Sequence, residues 1–131
     1  MLYPLPPDPQ QLLIDFLTGQ PDVAAIAAGR VSSTKLDTPD SRIQVTAVPA
    51  AVSVEWEEPS EFQVDCWGGT EKNALDLART VVASIYDLIK QQPTVTAAFP
   101  TVLPFASHDP TTGRPRFIVQ VQINQSPEAT P

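Results

Sequence analysis

The chain holds few residues that could carry out acid–base or nucleophilic chemistry. Its one histidine, His108, lies beside Asp109 in the turn-rich stretch HDPTTGRP, and its one cysteine, Cys66, shares an apolar strand face with Phe62 and Val64. A histidine in such a turn is more often a solvated surface residue than a general base. A cysteine on an apolar face is more often a buried structural thiol than a nucleophile. We therefore expect that the protein is not an enzyme.

Metal chemistry would have to come from carboxylates, because one cysteine and one histidine are too few for a zinc site of the usual ligand count. Acidic residues do cluster around Trp56 and Pro59; these are Glu55, Glu57, Glu58 and Glu61. A divalent-ion site or an acid–base pair needs carboxylates that face each other, and this spacing does not require that geometry. We expect a solvated, mutually repulsive loop, with a divalent-ion site as the alternative, and we predict neither a metal nor another cofactor.

The composition limits the partners that the chain can bind. It has 131 residues, a net charge of −7 at pH 7 and 8 lysine and arginine residues, which are scattered. A protein that coats nucleic acid is not expected, because such binding relies on clustered Lys and Arg. An acidic surface still suits a protein that lines a passage for DNA, since repulsion keeps the DNA from adhering.

The sequence also indicates where the protein is found. A single cysteine cannot form an intramolecular disulfide, and the start MLYPLPPDPQQ lacks the pattern of a signal peptide. No apolar run approaches the roughly 18 to 20 residues that cross a bilayer. We expect a soluble protein that is intracellular or assembled from an intracellular pool, with no membrane partner.

Helix signals are clear at three places. Asp8 before Pro9 predicts a helix start, and Gly19 is placed to end that helix. Residues 21–28 predict a second short helical piece, so two short helices, or one broken helix, open the domain. Thr70 is a natural N-cap, and the apolar positions that follow it predict a helix of about five turns that reaches about Lys90.

Alternating apolar and polar residues predict strands over 42–48, 52–56, 61–67 and 116–124. Residues 94–107 predict an edge or bent strand, because Pro100 and Pro104 interrupt them. The order of elements predicts an α+β fold, a two-layer sandwich in which a mostly antiparallel sheet of about four strands packs its helices on one face. Residues 1–131 then form one domain with a proline-rich arm (1–7) and a mobile tail (125–131).

Trp67 is a candidate contact residue. It faces opposite Phe62, Val64 and Cys66, so it belongs to the open face of the predicted sheet, near its rim. An exposed tryptophan on a small domain commonly anchors an interface. The alternative is that the segment 94–107 covers it.

The stretch FQVDCWGGTEKNALDLARTVVASIYDLI, residues 62–89, resembles the tail terminator, or tail completion, proteins of long-tailed bacteriophages. It has a strand that ends in an acidic–x–Trp step, a short glycine turn and a helix rich in Ala and Leu. The early segment PDVAAIAAGRV and the closing strand RFIVQVQIN are similar to the family in position and character. Together these segments cover most of residues 8–124.

The resemblance implies a structural protein of the virion, assembled in the host cytoplasm and placed at the head–tail junction. Copies would form a ring, expected to be a homohexamer, at the head-proximal end of the tail tube, and would contact the tube protein and the connector proteins. DNA would pass through without specific binding. Glu55, Glu57, Glu58, Glu61 and Trp67 are our candidates for lining the channel or an interface. A head–tail adaptor or head-completion protein is one alternative, and a small intracellular binding module is an alternative of another class.

Overall fold

The computed structural model describes residues 7–34, 40–49 and 58–126. The helices are α1 (Pro9–Gly19), α2 (Pro21–Ala27), α3 (Glu71–Ile85) and α4 (Leu88–Gln91). The strands are β1 (Val31–Ser32), β2 (Arg42–Val48), β3 (Glu58–Trp67), β4 (Val95–Ala106) and β5 (Arg116–Gln125). The strand predicted over 52–56 lies outside the described residues, as do the arm before Pro7 and the tail after Ser126.

The first helix begins as the sequence predicts. The carboxylate of Asp8 accepts hydrogen bonds from the backbone N–H groups of Gln10 (3.0 Å) and Gln11 (3.4 Å). It therefore satisfies donors that the first turn of a helix leaves open, while Pro9 supplies a preset backbone angle. The buried side chains of this helix recur at spacings of one, three and four; they are Leu12, Leu13, Phe16 and Leu17.

The long helix also begins at its predicted cap, where the Thr70 hydroxyl accepts a hydrogen bond from the backbone N–H of Asn73 over 3.1 Å. Its predicted end is wrong. The backbone N–H of Asp87 donates to the carbonyl of Ser84 over 2.9 Å, a three-residue step that closes α3, and a separate short helix starts at Leu88. A tighter turn of this kind commonly ends a helix.

The sheet differs from the predicted one. It has five strands in the order β1-β2-β3-β5-β4, and it is mixed. β1 lies parallel to β2, with Val31 opposite Ile43, whereas the other three neighbouring pairs are antiparallel. The prediction of about four mostly antiparallel strands missed β1 because two residues cannot show an alternating pattern. The α+β class is confirmed.

One face of the sheet, here called the helix face, packs against all four helices. Strand register aligns its residues in rows, such as Val45 with Val64 and Val119. These side chains form one buried core with the apolar stripes of the helices, including Phe16 of α1 and Val81 of α3. The other face, here called the open face, carries the residues that alternate with the helix-face residues along each strand.

Candidate functional site

The open face is mostly polar across its centre. Register places its residues in two rows, Thr46 with Gln63 and Gln120, and Val48 with Glu61 and Gln122. Its amides pair along the strands: Gln63 Nε2 donates to Asp65 Oδ1 over 2.8 Å, and Gln122 Nε2 donates to Asn124 Oδ1 over 2.9 Å. The amides of this surface, beside the carboxylate of Glu61, could offer hydrogen bonds to a partner.

One end of the open face is closed by a charged cluster around Trp67. Arg42 and Arg116 flank Trp67 on the neighbouring strands. Their guanidinium carbons lie 4.4 Å and 5.6 Å from the centroid of the indole ring, within the range of cation–π attraction. The indole Nε1 donates to Oδ2 of Asp109 over 3.1 Å.

The connection between β4 and β5, residues 107–115, is bonded to this cluster. Arg116 Nε donates to the carbonyl oxygen of Ser107 over 2.8 Å. Asp109 also accepts a hydrogen bond from the backbone N–H of Thr111 over 2.9 Å, through Oδ1. Asp109 is only 2% exposed, so its hydrogen bonds join the connection to the sheet in the interior of the protein.

The prediction of an exposed Trp67 is therefore wrong. Trp67 lies on the face opposite Phe62, as the alternation indicates, but it is only 1% exposed. Arg42, Arg116 and Asp109 of the connection 107–115 contact its ring or its indole nitrogen. Sequence alternation assigned the face correctly and could not show that a distant connection folds back over it.

Asp65 is the second carboxylate of the cluster. It is buried, 6% exposed, and its Oδ2 lies 3.9 Å from a terminal nitrogen of Arg116. Burial raises the pKa of Asp65 above its ordinary value, while the hydrogen bond from Gln63 and the charge of Arg116 oppose that rise. The nearby charge of Asp109 adds to the rise. The cluster thus contains two carboxyl groups and two guanidinium groups, whose formal charges cancel.

The predicted acidic cluster is placed only in part. Glu55 and Glu57 lie outside the described residues. The backbone of Glu58 opens β3 opposite Gln125, and Glu61 is half-buried on the open face between Val48 and Gln122. The described residues therefore bring one of the four predicted carboxylates, Glu61, to this face.

Cys66 and His108 occupy different environments. Cys66 is fully buried on the helix face, and burial raises the pKa of its thiol, so the reactive thiolate is disfavoured. His108 is exposed, with its Nε2 3.3 Å from Oε1 of Glu71 in the first turn of α3. These positions suit a structural thiol and a surface contact between the connection and α3.

The two edges of the sheet are unlike. At the β2 edge, β1 pairs with one end of the strand, and Gln10 Nε2 donates to the carbonyl of Val45 over 2.9 Å. The 12-residue strand β4 forms the other edge, and no strand in the described part of the chain pairs with its outer side. Three of its large apolar side chains are exposed: Phe99 at 37%, Leu103 at 67% and Phe105 at 43%.

Irregular register directs these side chains to two sides of the edge. Phe99 is opposite Gln122, and Phe105 is opposite Ile118, so both belong to the open face. The register shifts between them, at β-bulges, and Leu103 instead lines a groove between β4 and α3. Sequence reasoning missed these contact residues; the available signal was the three large apolar side chains of Phe99, Leu103 and Phe105 in a segment that its prolines mark as an edge.

The groove is predominantly apolar. It is lined by Leu75, Arg79, Val82, Ala83, Leu103 and Pro104. Arg79 lies at its border and also lines a second groove, together with Asp22, Asp76 and Asp87. The first groove can therefore accept an apolar group beside a cation.

Among residues 7–34, 40–49 and 58–126, no group of three or more His, Cys, Asp or Glu side chains could hold a metal ion. Within that part of the chain, no helix has the length and apolar character needed to span a membrane. No model of a known protein family matches the chain, and no match is found among curated proteins.

Proposed function

We propose that the protein is the subunit of a ring that terminates the tail tube of a long-tailed bacteriophage and provides the surface to which the head attaches. The observation that carries this proposal is the exposed apolar edge strand β4 on a domain whose opposite edge is partly covered. Contiguous exposed apolar surface commonly marks protein contacts, and three large apolar side chains are exposed along this one strand. The proposal also rests on the resemblance of residues 62–89 to tail terminators, and the α+β fold is compatible with it.

A closed ring needs a head-to-tail contact, in which the β4 edge of one copy meets a different surface of the next copy. Pro100 and Pro104 remove two backbone donors from β4, so open-ended pairing of strands between copies is disfavoured. Contact through Phe99, Leu103 and Phe105 would remain. The ring is expected to hold six copies. One of its sides would match the last ring of the tube, and the other side would not support the addition of further tube protein.

The acidic balance of the chain fits a passage for DNA. A net charge of −7 gives a channel no general attraction for phosphates, so DNA would pass without specific binding. The ring requires no catalytic step and no cofactor, and we propose that the protein is not an enzyme. Its place would be the head–tail junction of the virion, after assembly in the host cytoplasm.

Binding to purified tail tubes tests the proposal. The protein, mixed with tubes and with portal assemblies from the same virus, is sedimented and imaged for density at the tube ends. A tail terminator binds one end of the tube and prevents the addition of further tube protein. Binding to the portal assembly alone would contradict the terminator role and assign the protein as a head–tail adaptor or head-completion protein.

The groove between α3 and β4 favours a second candidate function, a small intracellular binding module. Ligand sites are commonly concave and mostly apolar, with a few polar groups that set orientation, and Arg79 beside Leu75 and Leu103 has that character. A protein that stays monomeric in the presence of tail tubes and portal assemblies would favour this function.

A further inference from the structure

We propose that the groove between α3 and β4 binds residues 1–6 of a second copy of the chain. This inference rests on the proposed ring and names a contact between its neighbouring subunits. Each copy would insert its own arm into one neighbour and receive the arm of the other. Such an exchange is a head-to-tail contact, the kind that a ring requires.

The groove suits an uncharged apolar segment. Leu75 and Val82 of α3 face Leu103 and Pro104 of β4 across it. Leu103 is 67% exposed, the largest exposure among the large apolar side chains in the described ranges. Covering such side chains contributes roughly 25 cal/mol for each Å² of apolar surface removed from water.

Residues 1–6, MLYPLP, have the matching chemistry. They carry no side-chain charge, and Leu2, Tyr3 and Leu5 offer large apolar groups. Pro4 and Pro6 lack backbone N–H groups and restrict the backbone, which lowers the entropy that binding would cost. The ring of Tyr3 is also a suitable partner for the guanidinium of Arg79.

Two other grooves on the described part of the chain suit this segment less well. The groove beside Pro7 contains two carboxylates, Asp8 and Asp15. The groove on the other side of Arg79 contains three, those of Asp22, Asp76 and Asp87. An apolar segment in either place would remove charged groups from water without pairing them, which costs free energy.

The reach of residues 1–6 favours a neighbour over the same copy. Gln125 Nε2 donates to the carbonyl of Pro7 over 3.1 Å, so Pro7, the residue that follows this segment, lies at the end of β5. Leu103 lies in the part of β4 that is opposite residues 118–120, about 20 Å along β5 from Gln125. Six extended residues span at most about 20 Å, so only Met1 could reach the groove of its own copy.

Crosslinking between two variants tests the contact. One population carries Leu5→Cys, and the other carries Ala83→Cys at the groove. Cys66 is fully buried and does not compete for the engineered thiols. After mixing under mild oxidation, we expect a disulfide-linked pair that contains one chain of each kind. Thr18→Cys, on the exposed surface of α1, replaces Ala83→Cys in the control. Equal yields from the two mixtures would overturn the proposal.

Removal of residues 1–6 separates this contact from the ring itself. If the full chain forms a ring, we expect the truncated chain to lose it at the same concentration. A truncated chain that still forms the ring would overturn the arm contact and leave the proposed function intact.

If the full chain stays monomeric even on tail tubes, the proposed function fails and a peptide decides the contact. The peptide MLYPLPP is titrated into the truncated chain while backbone NMR signals are followed. Shifts centred on Leu75, Ala83 and Leu103, weakened at least tenfold in affinity by Leu103→Asp, would support the contact. No binding, or shifts centred on Asp8 and Asp15, would overturn it.

Discussion

The indole nitrogen of Trp67 donates a hydrogen bond to the carboxylate of Asp109, 42 residues later in the sequence, over 3.1 Å. Both residues are nearly inaccessible to water. With the hydrogen bond from the Gly68 backbone N–H to the Pro115 carbonyl (3.2 Å), this bond joins the end of β3 to the connection between β4 and β5. The connection therefore contributes, with Arg42 and Arg116, to the burial of a tryptophan on the open face.

Asp109→Ala should destabilise the protein by about 1–3 kcal/mol, because it leaves the buried indole N–H of Trp67 without this acceptor. Chemical denaturation measures the change in the free energy of unfolding. Asp87→Ala is the control, since Asp87 is exposed and its ion pair with Lys90 at 3.7 Å should contribute less than about 1 kcal/mol. Equal costs for the two variants would contradict the role assigned to Asp109.

Two adjacent glycines should respond differently to alanine. A Cβ on Gly68 would lie 2.4 Å from the backbone nitrogen of Ala74, so Gly68→Ala must displace the start of α3. We expect a loss of about 1–3 kcal/mol, typical of overpacking. Gly69 has no atom within 4 Å of such a Cβ, and Gly69→Ala should change stability by less than about 1 kcal/mol. Thermal unfolding of both variants makes the comparison, and a similar loss for the two would show that the close approach at Gly68 is wrong.

Asp65 should make the protein less stable as pH rises. Because burial raises its folded pKa above 3.8, the folded chain holds the proton more tightly than the unfolded chain does. The contribution of Asp65 to the free energy of unfolding is fully present below the pKa that it has in the unfolded chain. That contribution is lost as pH rises through its higher pKa in the folded chain. Asp65→Asn has no such proton and keeps an oxygen that can accept from Gln63. The free energy of unfolding of Asp65→Asn, relative to that of the wild type, should therefore increase as pH rises from below 4 to neutrality.

The matched control is Asp15→Asn on the exposed surface of α1, which accounts for the loss of one negative charge from the whole chain. Urea titrations at a series of pH values supply the free energies. A difference between Asp65→Asn and wild type that is constant with pH would contradict the pKa shift. If the wild type instead became the relatively more stable of the two as pH rises, the shift in the pKa of Asp65 would have the opposite sign.

Charge reversal tests the predicted acidic lining. We expect that changing Glu55, Glu57, Glu58 and Glu61 to lysine leaves ring assembly intact and hinders the passage of DNA, because lysines would attract phosphates. Native mass reports assembly, and DNA delivery by reconstituted virions reports passage. Loss of the ring would place these residues at a subunit interface instead.

Several elements could be predicted because their signals are local. Asp8 and Thr70 cap the helices that follow them, as side-chain acceptors next to apolar stripes predict. The strands β2 and β5 alternate apolar and polar residues over most of their length, and β4 lies at an edge as its prolines indicate. Each of these features depends on neighbours within a few residues.

The remainder depends on contacts between distant segments. β1 has two residues, and its parallel pairing of Val31 with Ile43 has no local signature. The burial of Trp67 requires Arg42, Asp109 and Arg116, which come from separate parts of the chain. The break between α3 and α4 has no glycine or proline at Tyr86 and Asp87 to mark it. A pattern within one segment cannot show such features.

Native mass measured across protein concentration shows whether copies of this chain form the proposed ring. Parallel samples with and without magnesium, followed by negative-stain imaging, would show the size and shape of any large species. We expect a ring of about six subunits, formed in solution or on the end of a tail tube. A protein that remains monomeric at every concentration and is not recruited by purified tail tubes would contradict it.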